Sequence, residues 1–189
     1  MKEVKIIEVK ENKNPVFVKT KAIVFEREGV QSLWEMIKSH DSVHVLVNNI
    51  DRNELILVKQ VRIPVLANGD ATGICLEACA GIVDKDIPLK EIAREEILEE
   101  IGYDVPVNLI QEVSSYKSSL GTQGGNCSTY YVEVEDSMKV SEGGGLESED
   151  IEVVYIKYTE VRDIIRNGGN IDATTLFLLT HFLLISEDV

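Results

Sequence analysis

A glutamate-rich segment, residues 89–102, constrains the fold of this 189-residue chain more than any other feature. Its apolar positions recur at helical spacing and predict one buried stripe on an amphipathic helix: Leu89, Ile92, Ala93, Ile97 and Ile101. At about 100° per residue, Glu100 falls inside that stripe and Glu96 falls toward its edge. A carboxylate in apolar surroundings is unfavourable unless a positive charge meets it, so the fold must supply one.

The predicted helix has recognisable ends but carries no cation beside its buried glutamates. Asp86 is a possible cap, Pro88 suits the first turn, and Gly102 suits a left-handed stop. Arg94 points away from Glu100 on the helical wheel. A divalent cation is the simplest compensating charge, and carboxylate oxygens are ligands that suit Mg²⁺ or Mn²⁺.

The alternative interpretation is a solvated glutamate-rich face, which is common where Lys or Arg lies one helical turn away. Here the opposite charges are missing, because Glu95–Glu99 and Glu96–Glu100 are like-charge pairs at i, i+4. Such pairs destabilise a helix, so we expect the segment to use its carboxylates. Glu91 and Glu95 fall on the opposite side and are expected to face water.

Composition argues against several classes of protein. The net charge of −14 at pH 7 repels a polyanionic backbone, so we expect no nucleic-acid partner. It also repels a small anionic substrate unless local cations or metals reverse the field at the site. We expect no membrane association, since the N-terminus has no signal-peptide pattern and the longest apolar stretch, 176–185, is short and interrupted. Cys75, Cys79 and Cys127 show no paired spacing, which favours buried thiols and a cytoplasmic protein.

Hydrophobic periodicity predicts a mixed order of strands and helices. Strands are predicted over residues 4–9, 16–26, 42–47, 54–61, 74–80, 107–113, 129–134 and 151–156. Helices are predicted over residues 31–39, 89–101, 159–167 and 173–186, with a loop over 65–73. The turn-like sequence NNIDRN joins two of the strands as a hairpin. This order predicts an α/β (α+β) sandwich in which helices cover a mixed sheet.

A stretch that begins at Gly81 and ends in EEILEEIGY resembles the Nudix box, the signature of a family of hydrolases. From Glu96 onward every position matches the motif, and Gly81 matches its first glycine. Two supporting positions depart from it: Glu95 stands where the family has an arginine, and Ile87 stands where it has an early glutamate. In the family that arginine helps to orient a glutamate one turn on, and here Glu95 would face Glu99 instead.

The resemblance extends over most of the chain. Residues 31–62, LEACAGIVD at 76–84 and GGGLESEDIEVV at 143–154 are similar to the branch of the family that acts on nucleoside diphosphate sugars. Within that branch they look most like UDP-sugar diphosphatases, which are close relatives of ADP-ribose pyrophosphatases. The resemblance implies a Nudix-type α/β/α sandwich with a mixed β-sheet and additional N-terminal antiparallel strands.

The same resemblance implies a metal centre. It implies that the Ala80 carbonyl, Glu96 and Glu100 are ligands of Mg²⁺, with Mn²⁺ as an alternative, and that Glu99 is shared or supporting. Hydrolysis of a phosphoanhydride requires charge neutralisation on the pyrophosphate and a water in line with the attacked phosphorus. Clustered glutamates that hold roughly two or three Mg²⁺ ions supply both requirements.

The resemblance also places the remaining site residues. It implies a general base in the acidic loop downstream of the box, at Glu149 or alternatively at Glu147. Arg62 matches a residue that binds substrate phosphate, Glu77 matches a residue near the substrate or the metal, and Gly81 matches a residue near the substrate. The alternative interpretations are a solvated loop tip for the acidic loop and an ordinary strand-end cation for the arginine.

The implied function is Mg²⁺-dependent hydrolysis of nucleoside diphosphate sugars to a nucleoside monophosphate and a sugar phosphate. UDP-glucose and ADP-ribose are the leading candidates, and the loop SSYKSSLGTQ lacks a proline that ADP-ribose enzymes often carry, which favours UDP-sugars. A non-hydrolytic Nudix-like module that senses a nucleotide is the alternative, supported by the departures at Glu95 and Ile87. An isomerase acting on a prenyl diphosphate fits poorly, because no matching catalytic cysteine context is found.

The resemblance further implies an oligomeric state, because this branch usually forms homodimers through its N-terminal strands. We therefore divide the chain into a strand-rich, dimerising segment, residues 1–41, and a Nudix hydrolase domain, residues 42–189.

Overall fold

Two central strands carry apolar side chains on both faces, which requires packed layers on each side of the sheet. The computed structural model describes residues 3–15, 18–146 and 149–187. In it, β3 (Ser42–Asn49) and β4 (Glu54–Val61) form the predicted hairpin. Alternate residues of these strands enter two separate apolar clusters, one including Val45 and Ile56, the other including Leu46 and Leu55.

The main sheet has seven strands and mixed direction. Its other members are β5 (Ile74–Glu77), β6 (Cys79–Ile82), β7 (Gln111–Ser118), β8 (Gly125–Val134) and β9 (Glu152–Lys157). The main path runs β5-β4-β3-β8-β7, while β6 pairs with β3 and β9 pairs with β4. Only the pairing of β3 with β8 is parallel among the ladders of the described residues.

Helices cover both faces of this sheet. On one face lies α2 (Leu89–Glu96), which continues into a π-helical turn, Ile97–Ile101. On the other face lie α3 (Tyr158–Asn167) and α4 (Ala173–Glu187). The predicted α/β/α sandwich with a mixed sheet is therefore confirmed. Within the described ranges every helix is too short or too polar to cross a lipid bilayer.

The N-terminal region forms a separate two-stranded antiparallel sheet, β1 (Lys19–Arg27) and β2 (Val30–Lys38). The prediction of a helix over 31–39 was wrong, because eight residues of this segment pair with β1 instead. The connecting residues Glu28 and Gly29 have φ of +53° and +79°, as a tight hairpin turn requires. The strand predicted over 4–9 is absent from the described residues, and the one over 16–26 begins only at Lys19.

Three other predicted segments differ in detail. Part of the loop predicted over 65–73 is helical, because α1 (Ile63–Ala67) extends into it and has a proline in its first turn, where proline is favoured. The strand over 74–80 is interrupted at Ala78, whose N–H donates to Thr175 Oγ1 at 2.8 Å. The strand over 107–113 begins late, because a 3₁₀ turn, Val107–Leu109, precedes β7. Strands over 129–134 and 151–156 and helices over 89–101, 159–167 and 173–186 are confirmed within small shifts at their ends.

Candidate active site

Most of the predicted site residues meet at one cavity of about 490 Å³. Of the nine candidates, seven line this cavity: Arg62, Ala80, Gly81, Glu96, Glu99, Glu100 and Glu149. Glu77 lies behind its wall, and Glu147 lies outside the described residues. These side chains come from the end of β4, from β6, from the end of the glutamate helix and from the loop before β9. The structure thus brings together residues that are far apart in the sequence.

The last turn of the glutamate helix is π-helical rather than α-helical, although the sequence predicted a regular helix to residue 101. The Gly102 N–H donates to Ile97 O at 3.1 Å and to Leu98 O at 3.2 Å. Gly102 itself has φ of +80°, which confirms the predicted left-handed stop. Glu99 and Glu100 lie in this wider turn. Single π-helical turns frequently occur at functional sites.

Glu100 is the most enclosed carboxylate of the cavity, with 5% of its surface exposed. Its Oε2 accepts the Ala80 N–H at 3.0 Å. Burial raises the pKa of Glu100 to about 7, while hydrogen bonds from the Ala80 N–H and the Cys79 thiol act against that rise. The prediction that Glu100 faces the buried side of the helix is confirmed.

Glu96 is also held in unfavourable surroundings. Burial, followed by the charges of Glu99 and Glu149, raises the pKa of Glu96 to about 7. Its side chain lies against Gly81, where an added Cβ would overlap the carboxylate. The glycine therefore leaves the space in which this carboxylate reaches the cavity.

A glycine-rich loop carries Glu149 to the same cavity. The Gly144 N–H donates to Glu100 O at 2.8 Å, and the Gly145 N–H donates to Glu99 O at 3.0 Å. The loop thus satisfies carbonyl groups that the end of a helix leaves open. Glu149 Oε2 accepts the Leu146 N–H at 2.9 Å, which holds its carboxylate at the cavity wall.

Arg62 is held by a buried carboxylate. Its Nε donates to Glu77 Oε1 at 2.7 Å, and its Nη2 donates to Glu77 Oε2. This hydrogen-bonded pair with Glu77 raises the pKa of Arg62. Glu77 lines a second cavity of about 480 Å³, which shares Arg62 and His44 with the first. Glu77 accordingly reaches the main cavity through Arg62 rather than directly.

Glu95, at the family's arginine position, pairs with a cation that sequence reasoning missed. Lys85 Nζ lies 2.5 Å from Glu95 Oε2. Lys85 belongs to the loop between β6 and α2, so no periodicity within the helix indicates this contact. Arg94 donates to Asp104 Oδ1 at 2.7 Å and to Val105 O at 3.1 Å. As predicted, Arg94 points away from the buried glutamates.

His44 is a second cavity residue that the sequence did not assign to the site. It lines the cavity beside Ala80, its partner across β3 and β6. Its Nε2 lies 3.2 Å from Ser42 Oγ, while its enclosed Nδ1 has no hydrogen-bond partner within the described ranges. The alternation of His44 with Val43 and Val45 along β3 is the sequence feature that could have predicted its place at the cavity.

The residues of the cavity fit a divalent cation by their chemistry. No three His, Cys, Asp or Glu side chains in the described part of the chain already converge as metal ligands. The donor set is nevertheless composed of oxygens, and two of its carboxyl groups, Glu96 and Glu100, have their pKa raised to about 7. A cation would stabilise their charged forms, which is the compensation that carboxylates in such surroundings need.

Comparison with known proteins gives curated relatives that include sugar-nucleotide pyrophosphatases. No family model matches the chain. The chain is 34% identical to the uridine diphosphate glucose pyrophosphatase of Bos taurus, over 70% of this chain and 72% of that protein. It is 33% identical to a GDP-mannose pyrophosphatase of Cronobacter sakazakii, over 83% and 81% of the two chains. It is 34% identical to the GDP-mannose pyrophosphatase of Pectobacterium atrosepticum, over 82% and 79%.

The fold, the carboxylate-lined cavity and these relatives define an enzyme that acts on pyrophosphate bonds. The chain belongs to the Nudix hydrolase family, within its nucleoside-diphosphate-sugar branch. The family assignment made from the Nudix box is therefore confirmed. The relatives are named as enzymes, so they give no support to the alternative of a non-hydrolytic sensing module.

Proposed function

We propose that this protein is a Mg²⁺-dependent pyrophosphatase that cleaves nucleoside diphosphate sugars into a nucleoside monophosphate and a sugar phosphate. The observation that carries the proposal is the cavity in which Glu96, Glu99, Glu100 and Glu149 lie beside Arg62. Such a set offers oxygen ligands for hard cations together with a cation for phosphate. Mn²⁺ is the alternative metal because it accepts the same ligands.

The residues of the chain divide into three tasks. Glu96 and Glu100, with the Ala80 carbonyl and Glu99, would hold the metal. Bound Mg²⁺ supplies charge neutralisation on the pyrophosphate and activation of water. Arg62, oriented by its two hydrogen bonds to Glu77, presents its remaining donors to a substrate phosphate.

Glu149 is the proposed general base. It lines the cavity, and its charge acts on both Glu96 and Glu100. Its position at the cavity wall, held by the Leu146 N–H, leaves a second oxygen to accept a proton from water. Glu147, outside the described residues, is the alternative base. Comparing kcat of Glu149→Gln with that of Glu147→Gln decides between the two, and we expect the larger loss for Glu149→Gln.

The substrate is proposed to be a nucleotide that carries a hexose. UDP-glucose and GDP-mannose appear in the names of the relatives. The proline-free loop SSYKSSLGTQ favours UDP-sugars over ADP-ribose. We therefore expect UDP-glucose to be cleaved with a higher kcat/KM than ADP-ribose.

A panel of nucleotide sugars tests the function. UDP-glucose, GDP-mannose and ADP-ribose are incubated with the protein and Mg²⁺, and a phosphatase then releases phosphate from the products for colorimetric detection. We expect release with at least one hexose nucleotide and none after addition of EDTA. No turnover of any member would overturn the proposal, and turnover that EDTA leaves unchanged would overturn its metal dependence.

We also propose that the chain forms a homodimer through residues 1–41, in a reducing compartment such as the cytoplasm. One face of the β1–β2 hairpin brings together Ile23, Phe25, Val30, Trp34 and Met36. Three of these apolar side chains are exposed, which is characteristic of an interaction surface: Ile23, Val30 and Trp34. The thiols of all three cysteines are buried and free, which agrees with a reducing compartment.

Light scattering coupled to gel filtration measures the oligomeric state directly. We expect twice the chain mass of 21.1 kDa for the wild type and a monomer for Ile23→Asp. A monomeric wild type at micromolar concentration would contradict the proposed dimer.

A further inference from the structure

The active-site cavity has an imbalance of charge that an anionic substrate must overcome. Its described lining contains five carboxylates: Asp84, Glu96, Glu99, Glu100 and Glu149. Against these stand two permanently charged cations, Arg62 and Lys85. The chain as a whole carries a net charge of −14. Without metal, a diphosphate meets a repulsive field, which bound Mg²⁺ and the cations of the cavity would reverse together.

Arg62 is partly committed to a protein partner. Two of its donors are bound by the two oxygens of Glu77, a carboxylate with 7% of its surface exposed. Part of its charge is thereby neutralised before any substrate binds. The other cation of the described lining, Lys85, is therefore a second candidate to attract a phosphate.

Lys85 is held at the cavity edge by a residue outside the cavity. Its Nζ lies 2.5 Å from Glu95 Oε2, and Glu95 is not among the lining residues. An ammonium group has three donors, so this contact leaves donors available, and half of the lysine side chain is exposed to solvent.

The competing explanation is that Lys85 and Glu95 form a surface ion pair that only stabilises the fold. Exposed pairs of this kind contribute little to folding. The pair Lys139–Glu142, at 2.9 Å, is an example with no part in the cavity. Lys85–Glu95 differs because its positive end lines the cavity and its negative end lies on the helix that supplies the carboxylates.

We propose that Lys85 contacts a phosphate of the substrate and that Glu95 is the positioning residue that holds it there. The inference rests on the proposed hydrolysis of nucleoside diphosphate sugars and adds a substrate-binding residue to it. The Glu95–Lys85 pair thereby places a positive charge at the cavity although the helix itself has a glutamate at the family's arginine position.

The test is Lys85→Met, with Lys139→Met as the matched control that removes another ion-paired lysine. Lys85→Met is expected to raise KM for UDP-glucose about tenfold, as loss of one hydrogen bond to a charged group does, with a smaller change in kcat. Lys85→Arg is expected to restore most of the affinity. A methylene-bridged analogue of UDP, which is not cleaved, provides a binding measurement by titration calorimetry with Mg²⁺ present. Its Kd should rise about tenfold and depend less on ionic strength in Lys85→Met.

The role of Glu95 is tested by a double-mutant cycle. Glu95→Gln releases Lys85 and should raise KM by about threefold, but it should have no further effect when Lys85 is already Met. Additive effects would overturn the positioning role. Values of KM and Kd for Lys85→Met that equal those of Lys139→Met would overturn the contact itself. If the wild type cleaves no nucleotide sugar, the proposed hydrolysis fails, and titration with the UDP analogue still decides the role of Lys85.

Discussion

The exposed side and the C-terminal turn of the glutamate helix both carry glutamates but differ in burial and in hydrogen-bond partners. At its exposed side, Glu95 is paired with Lys85 and resembles many surface carboxylates. At its C-terminal turn, Glu100 is 5% exposed and receives one backbone N–H, with no cation in contact among the described residues. The sheet beneath the helix causes the difference, because Glu100 reaches β6 at the Ala80 N–H, whereas Glu95 pairs with Lys85 in the loop before the helix. Burial, not the number of glutamates, therefore distinguishes a site from a solvated face.

The largest expected effect comes from neutralising the buried end. Glu100→Gln keeps the shape of the side chain but removes its charge, so kcat should fall about 100- to 1,000-fold, as loss of one electrostatic contributor to catalysis does. Glu91→Gln, on the same helix and away from the cavity, is the control and should leave kcat within about twofold. Steady-state kinetics with UDP-glucose and Mg²⁺ measure both. Full activity of Glu100→Gln would refute the metal role.

The second prediction concerns stability in the absence of metal. The carboxyl pKa of Glu100 is about 7 in the folded protein against an ordinary 4.5, so the folded state binds this proton more tightly. Its contribution to stability is therefore fully present below pH 4.5 and is lost as pH rises through about 7. In urea unfolding with EDTA, Glu100 alone should make the free energy of unfolding fall by on the order of 2 kcal/mol between about pH 5 and about pH 8, and Glu96, with the same raised pKa, should add to that fall.

The matching variant isolates this carboxyl group from the other acids of the chain. The free energy of unfolding of Glu100→Gln should fall less steeply with pH than that of the wild type. In EDTA at neutral pH, the variant should be the more stable of the two proteins. Added Mg²⁺ should stabilise the wild type and have little effect on the variant, because a ligand stabilises only the state that binds it. If the free energy of unfolding of the two proteins depended equally on pH, the proton bound by Glu100 would not contribute to stability, and the prediction would be wrong.

The smallest effect on kcat is expected at Gly81, the β6 glycine that lies against Glu96. Gly81→Ala adds a Cβ that overlaps the carboxylate of Glu96, so this side chain must move and kcat should fall about tenfold with little change in Tm. Gly121→Ala is the control, because nothing lies within 4 Å of a Cβ there. Thermal unfolding and kinetics of both variants measure the effects. A wild-type kcat for Gly81→Ala would show that the position of Glu96 is not critical.

Local patterns were sufficient for much of the fold. The apolar, β-branched runs in residues 42–47 and 54–61 and the stripe in 89–101 predicted the central hairpin and the helix because each pattern reports burial within one element. The segment 31–39 failed, since short apolar runs are compatible with either state and its pairing with β1 decided the outcome. Hydrophobic periodicity did not predict the π-helical turn either. The glycine-rich loop that hydrogen-bonds to this turn belongs to a separate segment of the chain.

The sequence by itself determined that Glu96 and Glu100 face inward, because helical spacing places them with the apolar stripe. It could not determine that Glu77 holds Arg62 or that Lys85 reaches Glu95, since these contacts join separate elements. Nor could it show that Gly144 and Gly145 dock on the last turn and bring Glu149 to the cavity. Periodicity is a local property of the chain, whereas the charge balance of a site arises only when distant segments pack together.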